Sequence, residues 1–109
     1  MIRWPRTYQP NYNALSKGGR MPNIFFQHRV ADYDTWRPIY DGDIERRNTA
    51  ELQEIGVFRK AGDENLVLMV WSTDNIEGFK AMLASEELKA EMQEAGVVSE
   101  PEVWVGETI

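Results

Sequence analysis

His28 is the only histidine in a chain of 109 residues that contains no cysteine. Its imidazole is the one side chain here whose unperturbed pKa suits proton transfer near neutral pH. Aromatic and hydrogen-bonding residues surround it in sequence. Phe26 precedes it by two positions, Tyr33, Trp36, Arg37 and Tyr40 follow at helical spacing, and Trp104 lies near the end of the chain. Hydroxyl and guanidinium groups set among aromatic rings suit recognition of a planar, oxygenated, mostly apolar molecule. Each also has a plainer reading: His28 as a hydrogen-bonded strand residue, the aromatics as helix-to-sheet packing, and Arg37 as a stem with its charge in water. The acidic pairs Asp41/Asp43 and Glu86/Glu87 read as solvated helix faces, not as paired catalytic carboxylates.

Composition narrows the chemistry further. Without cysteine there are no disulfides, thiolate metal sites or cysteine nucleophiles. A single histidine does not make a histidine cage, and the acids show no oxygen-ligand cluster, so neither a metal nor a cofactor is expected. Twelve basic and 18 acidic residues give a net charge of −6. Arg3, Arg6, Lys17 and Arg20 put +4 on residues 1–20, which leaves −10 on residues 21–109. A body that acidic repels phosphate backbones, so nucleic acid is not an expected partner. No apolar run approaches the ~20 residues needed to span a bilayer, so no membrane partner is expected. Arg3, Pro5, Arg6 and Pro10 interrupt any secretory segment, and the protein reads as cytoplasmic. Residues 1–21 read as a flexible basic extension, with Met21 a candidate true start, and residues 22–109 as one domain. Trp4, Tyr8, Tyr12 and Leu15 keep a packed tail open as an alternative.

The elements that position these residues follow from periodicity. Residues 23–30 alternate two sets, Ile24, Phe26, His28, Val30 against Phe25, Gln27, Arg29, and both carry aromatics. Tyr33, Trp36, Tyr40, Ile44 and Leu52 form a helical stripe. With Asp34 as its cap, Pro38 sits in the first turn; with Asp32 as the cap, Pro38 sits deeper and should kink the helix. Gly56 closes this helix. Strands follow at 57–60 and 66–72. Asp74 and Glu77 have capping-box spacing for a second helix over 75–95. Its buried stripe is Ile76, Phe79, Met82 or Leu83, Leu88 and Met92, and Ser85 offers a second cap that predicts a kink or two pieces. Gly96 ends it, and a strand at 102–107 alternates Val103, Val105 against Trp104, Gly106. The order, two strand–helix–strand units, predicts an α+β ferredoxin-like βαββαβ fold: a four-stranded antiparallel sheet with both helices on one face.

These residues resemble the dimeric α+β barrel superfamily, in its antibiotic-biosynthesis-monooxygenase and cyclase-like branch. The resemblance covers residues 23–107. It is carried by His28-Arg29-Val30 with Asp32-Tyr33-Asp34-Thr35-Trp36, by Val70-Trp71, and by Ala84-Ser85-Glu86-Glu87-Leu88-Lys89. Met92-Gln93-Glu94-Ala95-Gly96-Val97 and Pro101-Glu102-Val103-Trp104 complete it. It implies two sheets packed face to face across a two-fold axis, with an apolar pocket between sheet and helices in each subunit. It also implies an acid/base or orienting role for His28, deprotonating a phenol or activated methylene and returning the proton, and a flat ligand wall at Trp71. The chain departs from the catalytic branches at Met82, where several relatives carry a helix histidine. Haem degradation is excluded on that ground, and a two-residue acid/base mechanism loses one partner.

Two functions fit. One is a cofactor-independent cyclase, isomerase or monooxygenase-like enzyme for an aromatic or polyketide-like apolar compound, with His28 catalytic. Phe26, Tyr33, Trp36, Arg37, Tyr40, Trp71 and Trp104 would bind substrate. The other is a non-catalytic homodimeric module that binds a ligand or serves as an accessory subunit. Either requires a homodimer through the open sheet face, because a face bearing Phe, Trp and Val is not left in water.

Overall fold

In the computed structural model the described residues run from 22 to 109; the basic extension proposed for residues 1–21 lies outside them. Eight elements follow in order: β1 (Asn23–Arg29), α1 (Tyr33–Gly42), α2 (Ile44–Thr49), β2 (Gln53–Lys60), β3 (Asp63–Ser72), α3 (Ile76–Ala84), α4 (Glu86–Glu94) and β4 (Glu102–Gly106). The strands form one antiparallel sheet in the order β2-β3-β1-β4. This is the ferredoxin-like arrangement expected from the element order.

The alternation of β1 resolves cleanly. Ile24, Phe26, His28 and Val30 are buried, and with Val67, Met69 and Trp71 of β3 they build the core under the helices. Register places Phe25 opposite Val70 and Trp104, and Gln27 opposite Leu68 and Glu102. Those residues share the other face, since paired strand residues point the same way.

Helix caps decide where the first helical region begins and breaks. Asp32, not Asp34, caps α1, its Oδ2 accepting from Thr35 N at 3.0 Å and Thr35 Oγ1 at 2.7 Å. Pro38 therefore lies inside α1, where it cannot donate back to the preceding turn. The helix stops four residues later and restarts at Ile44. This break turns Ile44 out of the stripe, leaving it 46% exposed. Gly56 does not close the helical region either. Glu51, at φ 62°, makes the left-handed turn, and Gly56 sits at an irregularity of β2 with the Phe58 ring where a Cβ would be, at 2.8 Å.

In the second helical region Asn75 takes the cap expected of Asp74, its Oδ1 accepting from Gly78 N at 2.9 Å. Ser85 caps α4 and splits the region in two, as its sequence position predicts. Gly96, at φ 85°, ends α4, and its carbonyl accepts from Ala31 N at 2.8 Å. That contact ties the far end of the helices back to the exit of β1, and Val30 bridges Val97 beside it.

Candidate functional site

A cavity of about 60 Å³ lies between the sheet and the helices. Phe26 and His28 of β1 and Met69 and Trp71 of β3 form its floor. Trp36 and Tyr40 of α1 stand at one side, and Met82, Leu88 and Met92 at the other. The room suffices for a few waters, each of which takes ~10–15 Å³, and falls short of the ~150 Å³ that admits benzene in an apolar protein cavity. Three unbranched methionines line it, and these are the side chains that reshape most readily around a guest.

His28 is 4% exposed. The Phe26 and Trp36 rings meet it edge-on, centroids 5.5 and 5.8 Å away. Neither Nδ1 nor Nε2 has a hydrogen-bond partner. Burial without a compensating carboxylate lowers its pKa from 6.5 to about 4, so the imidazole is neutral at pH 7, with one N–H to donate and one nitrogen free to accept. An unpartnered buried polar group destabilises a fold by about 1–3 kcal/mol, and here two such nitrogens share one ring.

Trp71 and Tyr40 are cavity walls that are also wired together. Trp71 Nε1 donates to the Tyr40 hydroxyl at 3.0 Å, and that hydroxyl donates to Glu54 Oε1 at 2.7 Å. Burial pushes the Tyr40 phenol above its ordinary pKa; the Trp71 hydrogen bond opposes this and the Glu54 carboxylate adds to it. Tyr40 is therefore a fixed neutral hydroxyl. Trp36 stacks on its ring at 4.9 Å.

The other sequence-predicted residues lie elsewhere. Tyr33, half-buried against the core, and Arg37 are not among the residues that line the cavity. Arg37 Nη1 reaches the Tyr33 hydroxyl at 3.4 Å, Arg37 pairs with Asp41 at 3.0 Å, and the Arg59 guanidinium covers the Tyr33 ring at 4.3 Å. Trp104 is on the opposite face of the sheet, stacked on Phe25 at 4.2 Å, because β4 turns Val103 and Val105 toward the helices. Its assignment to the same site as His28 is corrected on that ground.

Sequence reasoning missed the polar end of the cavity, formed by Asp43, Arg47 and Glu91. Arg46 bridges the two carboxylates, at 2.9 Å to Asp43 and 3.2 Å to Glu91. Burial and the neighbouring Asp43 raise the pKa of Glu91, with Arg46 opposing. The available signal was spacing: Trp36, Tyr40, Asp43 and Arg47 recur at intervals of four, three and four, one continuous helical face. No group of three or more potential metal-ligating side chains occurs among the described residues, and no helix among them is long and apolar enough to cross a membrane.

No protein-family model matches the chain, and no curated protein matches it in sequence. Solved structures do match in shape. An antibiotic biosynthesis monooxygenase superposes with a TM-score of 0.61 at 14% identity, covering 82% of this chain and 99% of the other. A dimeric ferredoxin-like protein from an uncultured marine organism gives 0.53 at 12% identity, covering 83% and 89%. A Streptomyces coelicolor monooxygenase in complex with nanaomycin D gives 0.50 at 12% identity, covering 83% and 88%. The chain has the ferredoxin-like fold of these monooxygenase-like proteins. At such identities the likeness extends to fold, and function is argued from the site.

Proposed function

We propose that the protein takes a small, mainly apolar, oxygen-bearing molecule into the cavity and moves a proton on it through His28, as a cofactor-independent cyclase, isomerase or monooxygenase of aromatic or polyketide-like compounds. The observation that carries this is His28 itself: buried, neutral, on the cavity wall, and without a partner for either ring nitrogen. A phenol or enol supplies both the acceptor and the proton donor that the imidazole lacks. Proton transfer from the bound molecule leaves an anion beside an imidazolium, and their attraction in a buried site offsets the desolvation that otherwise keeps the ring neutral. The three methionines give way to admit a ring larger than the present space. A monooxygenase of the same fold is known in complex with the ligand nanaomycin D, which supports a small-molecule site in this fold.

A second reading, a non-catalytic ligand-binding or accessory module, is favoured by Met82. It lines the cavity where a second titratable group would assist His28. In both readings the protein is a homodimer through the open sheet face, where Phe58 is 52% and Trp104 58% exposed; the dimeric neighbour agrees with this. A monodisperse monomer at micromolar concentration in light scattering refutes that pairing.

Because the chain has one histidine, its ring protons report the site without assignment. NMR titration is expected to give a midpoint near 4 in the free protein, rising when phenol or acetylacetone is added. A midpoint that no oxygenated ligand moves makes His28 structural and favours the accessory module.

A further inference from the structure

The polar end of the cavity holds a cation that the proton-transfer reading does not use. Arg47 of α2 is 6% exposed and lines the cavity. Its Nη1 donates to the Tyr40 carbonyl at 2.8 Å, an oxygen that also accepts from Asp43 N at 3.1 Å at the end of α1. Its guanidinium lies 3.8 Å from the centre of the Tyr40 ring. Its Nε has no partner. Arg47 takes part in none of the ion pairs among the described residues. The two carboxylates at this end, Asp43 and Glu91, are both bound by Arg46. Asp43 and Glu91 balance Arg46 and Arg47 in number, but neither carboxylate pairs with Arg47, so its guanidinium meets no anion directly.

A buried guanidinium with an open N–H is a poor ending for a structural residue, because the desolvated charge has been left unpaired. It is a good beginning for a binding site, because a guanidinium meets oxyanions with charge-assisted hydrogen bonds. His28 and Arg47 enter the cavity from different elements, the imidazole from the sheet and the guanidinium from α2. A molecule spanning both would present a proton to one and an oxygen to the other.

We propose that Arg47 is the anion-recognition residue of this cavity, selecting ligands that carry a negative oxygen or develop one on losing a proton to His28: a carboxylate, a phenolate or an enolate. The inference rests on the reading of the cavity as a ligand site. In the step it describes, an O–H or an activated C–H of the ligand breaks and its proton goes to the neutral imidazole. The electron pair stays on the ligand and is held as an oxyanion by the guanidinium; return of the proton to another ligand atom restores His28. Stabilising charge where it develops is what a preorganised donor contributes to such a step.

Benzoate and benzamide test this, being nearly the same shape and differing in charge. Each is titrated into the ¹⁵N-labelled full chain while the Arg47 Nε–H and His28 ring signals are followed. Arg47 is identified by the signal lost in Arg47→Lys. Benzoate is expected to bind about ten- to a hundredfold more tightly than benzamide and to shift both signals. Arg47→Lys reduces the ratio of benzoate to benzamide affinity, and Arg47→Met brings that ratio to about one. Should the variants fail to fold, Arg47 Nε–H is assigned through its bonds to its own backbone amide in ¹³C,¹⁵N-labelled wild type, and its shift together with the wild-type preference decides the matter. Equal binding of the two compounds, with His28 shifting in both, overturns the role of Arg47 and leaves the cavity reading intact. A benzoate-selective shift at Arg47 with His28 silent upholds the anion site and removes His28 from it. Silence of both signals, or a benzoate effect that chloride reproduces, overturns the inference.

Discussion

The two faces of the sheet carry comparable apolar residues and put them to different uses. Under the helices, Phe26, Trp36 and Trp71 are each 3% exposed, yet this closed face contains the unpartnered nitrogens of His28 and Arg47. On the open face, Phe25 and Trp104 stack and Phe58 and Trp104 remain more than half exposed. Polar groups beside them are paired, Gln27 with Glu102 at 3.4 Å and Arg29 with Asp63 at 2.9 Å. Hydrophobicity alone does not say which face holds a site. Buried polar groups without a protein partner mark a place for a ligand, whereas satisfied polar groups around an exposed apolar patch mark a place for another protein surface.

The largest test of this contrast compares two tryptophans. Trp36→Ala removes a side chain packed on His28, Tyr33 and Tyr40 and is expected to cost about 3–5 kcal/mol in denaturant unfolding. Trp104→Ala in dilute protein is expected to cost no more than about 1 kcal/mol, since its ring is already largely in water. A Trp104 cost that grows with protein concentration places that ring in a homodimer interface. An equal, concentration-independent loss for both variants breaks the distinction between the faces.

Next in size is the pH dependence that His28 imposes. Its folded pKa of about 4 lies below the ordinary 6.5, so between these values the unfolded chain binds the proton that the folded chain refuses. Stability from this group is complete above pH ~6.5, falls as the pH drops through the window and levels off below pH ~4. At 1.36 kcal/mol per unit the loss is about 3 kcal/mol. Carboxylates titrate in the lower part of the same window, so the measurement is the difference between wild type and His28→Leu across pH 4 to 7. A difference that stays constant over that range means that the imidazole is not held neutral by burial.

How much of this was legible in the sequence depended on the range of the interaction involved. Strand alternation and helix stripes are local, and they yielded the βαββαβ order and the split at Ser85. Caps are local too, but Asp32 and Asp34, or Asp74 and Asn75, are chemically near-equivalent neighbours. The backbone angle at each, set by packing, decides between them. Trp71 and Tyr40 were identified singly, and their hydrogen bond, 31 residues apart in sequence, was invisible. Trp104 was misplaced because an aromatic residue on an alternating strand has two equivalent directions. Arg47 was passed over because an arginine on a helix is ordinarily solvated, although its spacing from Trp36 and Tyr40 put it on the covered face.

The smallest expected effect separates polar groups of the covered face by whether they have partners. Tyr40→Phe removes the acceptor for Trp71 Nε1 and the donor to Glu54. Glu54 is exposed and rebinds water, whereas the Trp71 N–H is buried and does not. The cost is then essentially that of one orphaned donor, about 1–2 kcal/mol. His28→Leu at pH 7 removes nitrogens that had no partners to lose, and it is expected to leave stability unchanged or raise it by about 1 kcal/mol. The two substitutions act in adjoining parts of one core and should have opposite signs in thermal unfolding. If His28→Leu is as destabilising as Tyr40→Phe, the imidazole is satisfied in the folded protein and its nitrogens do not await a ligand.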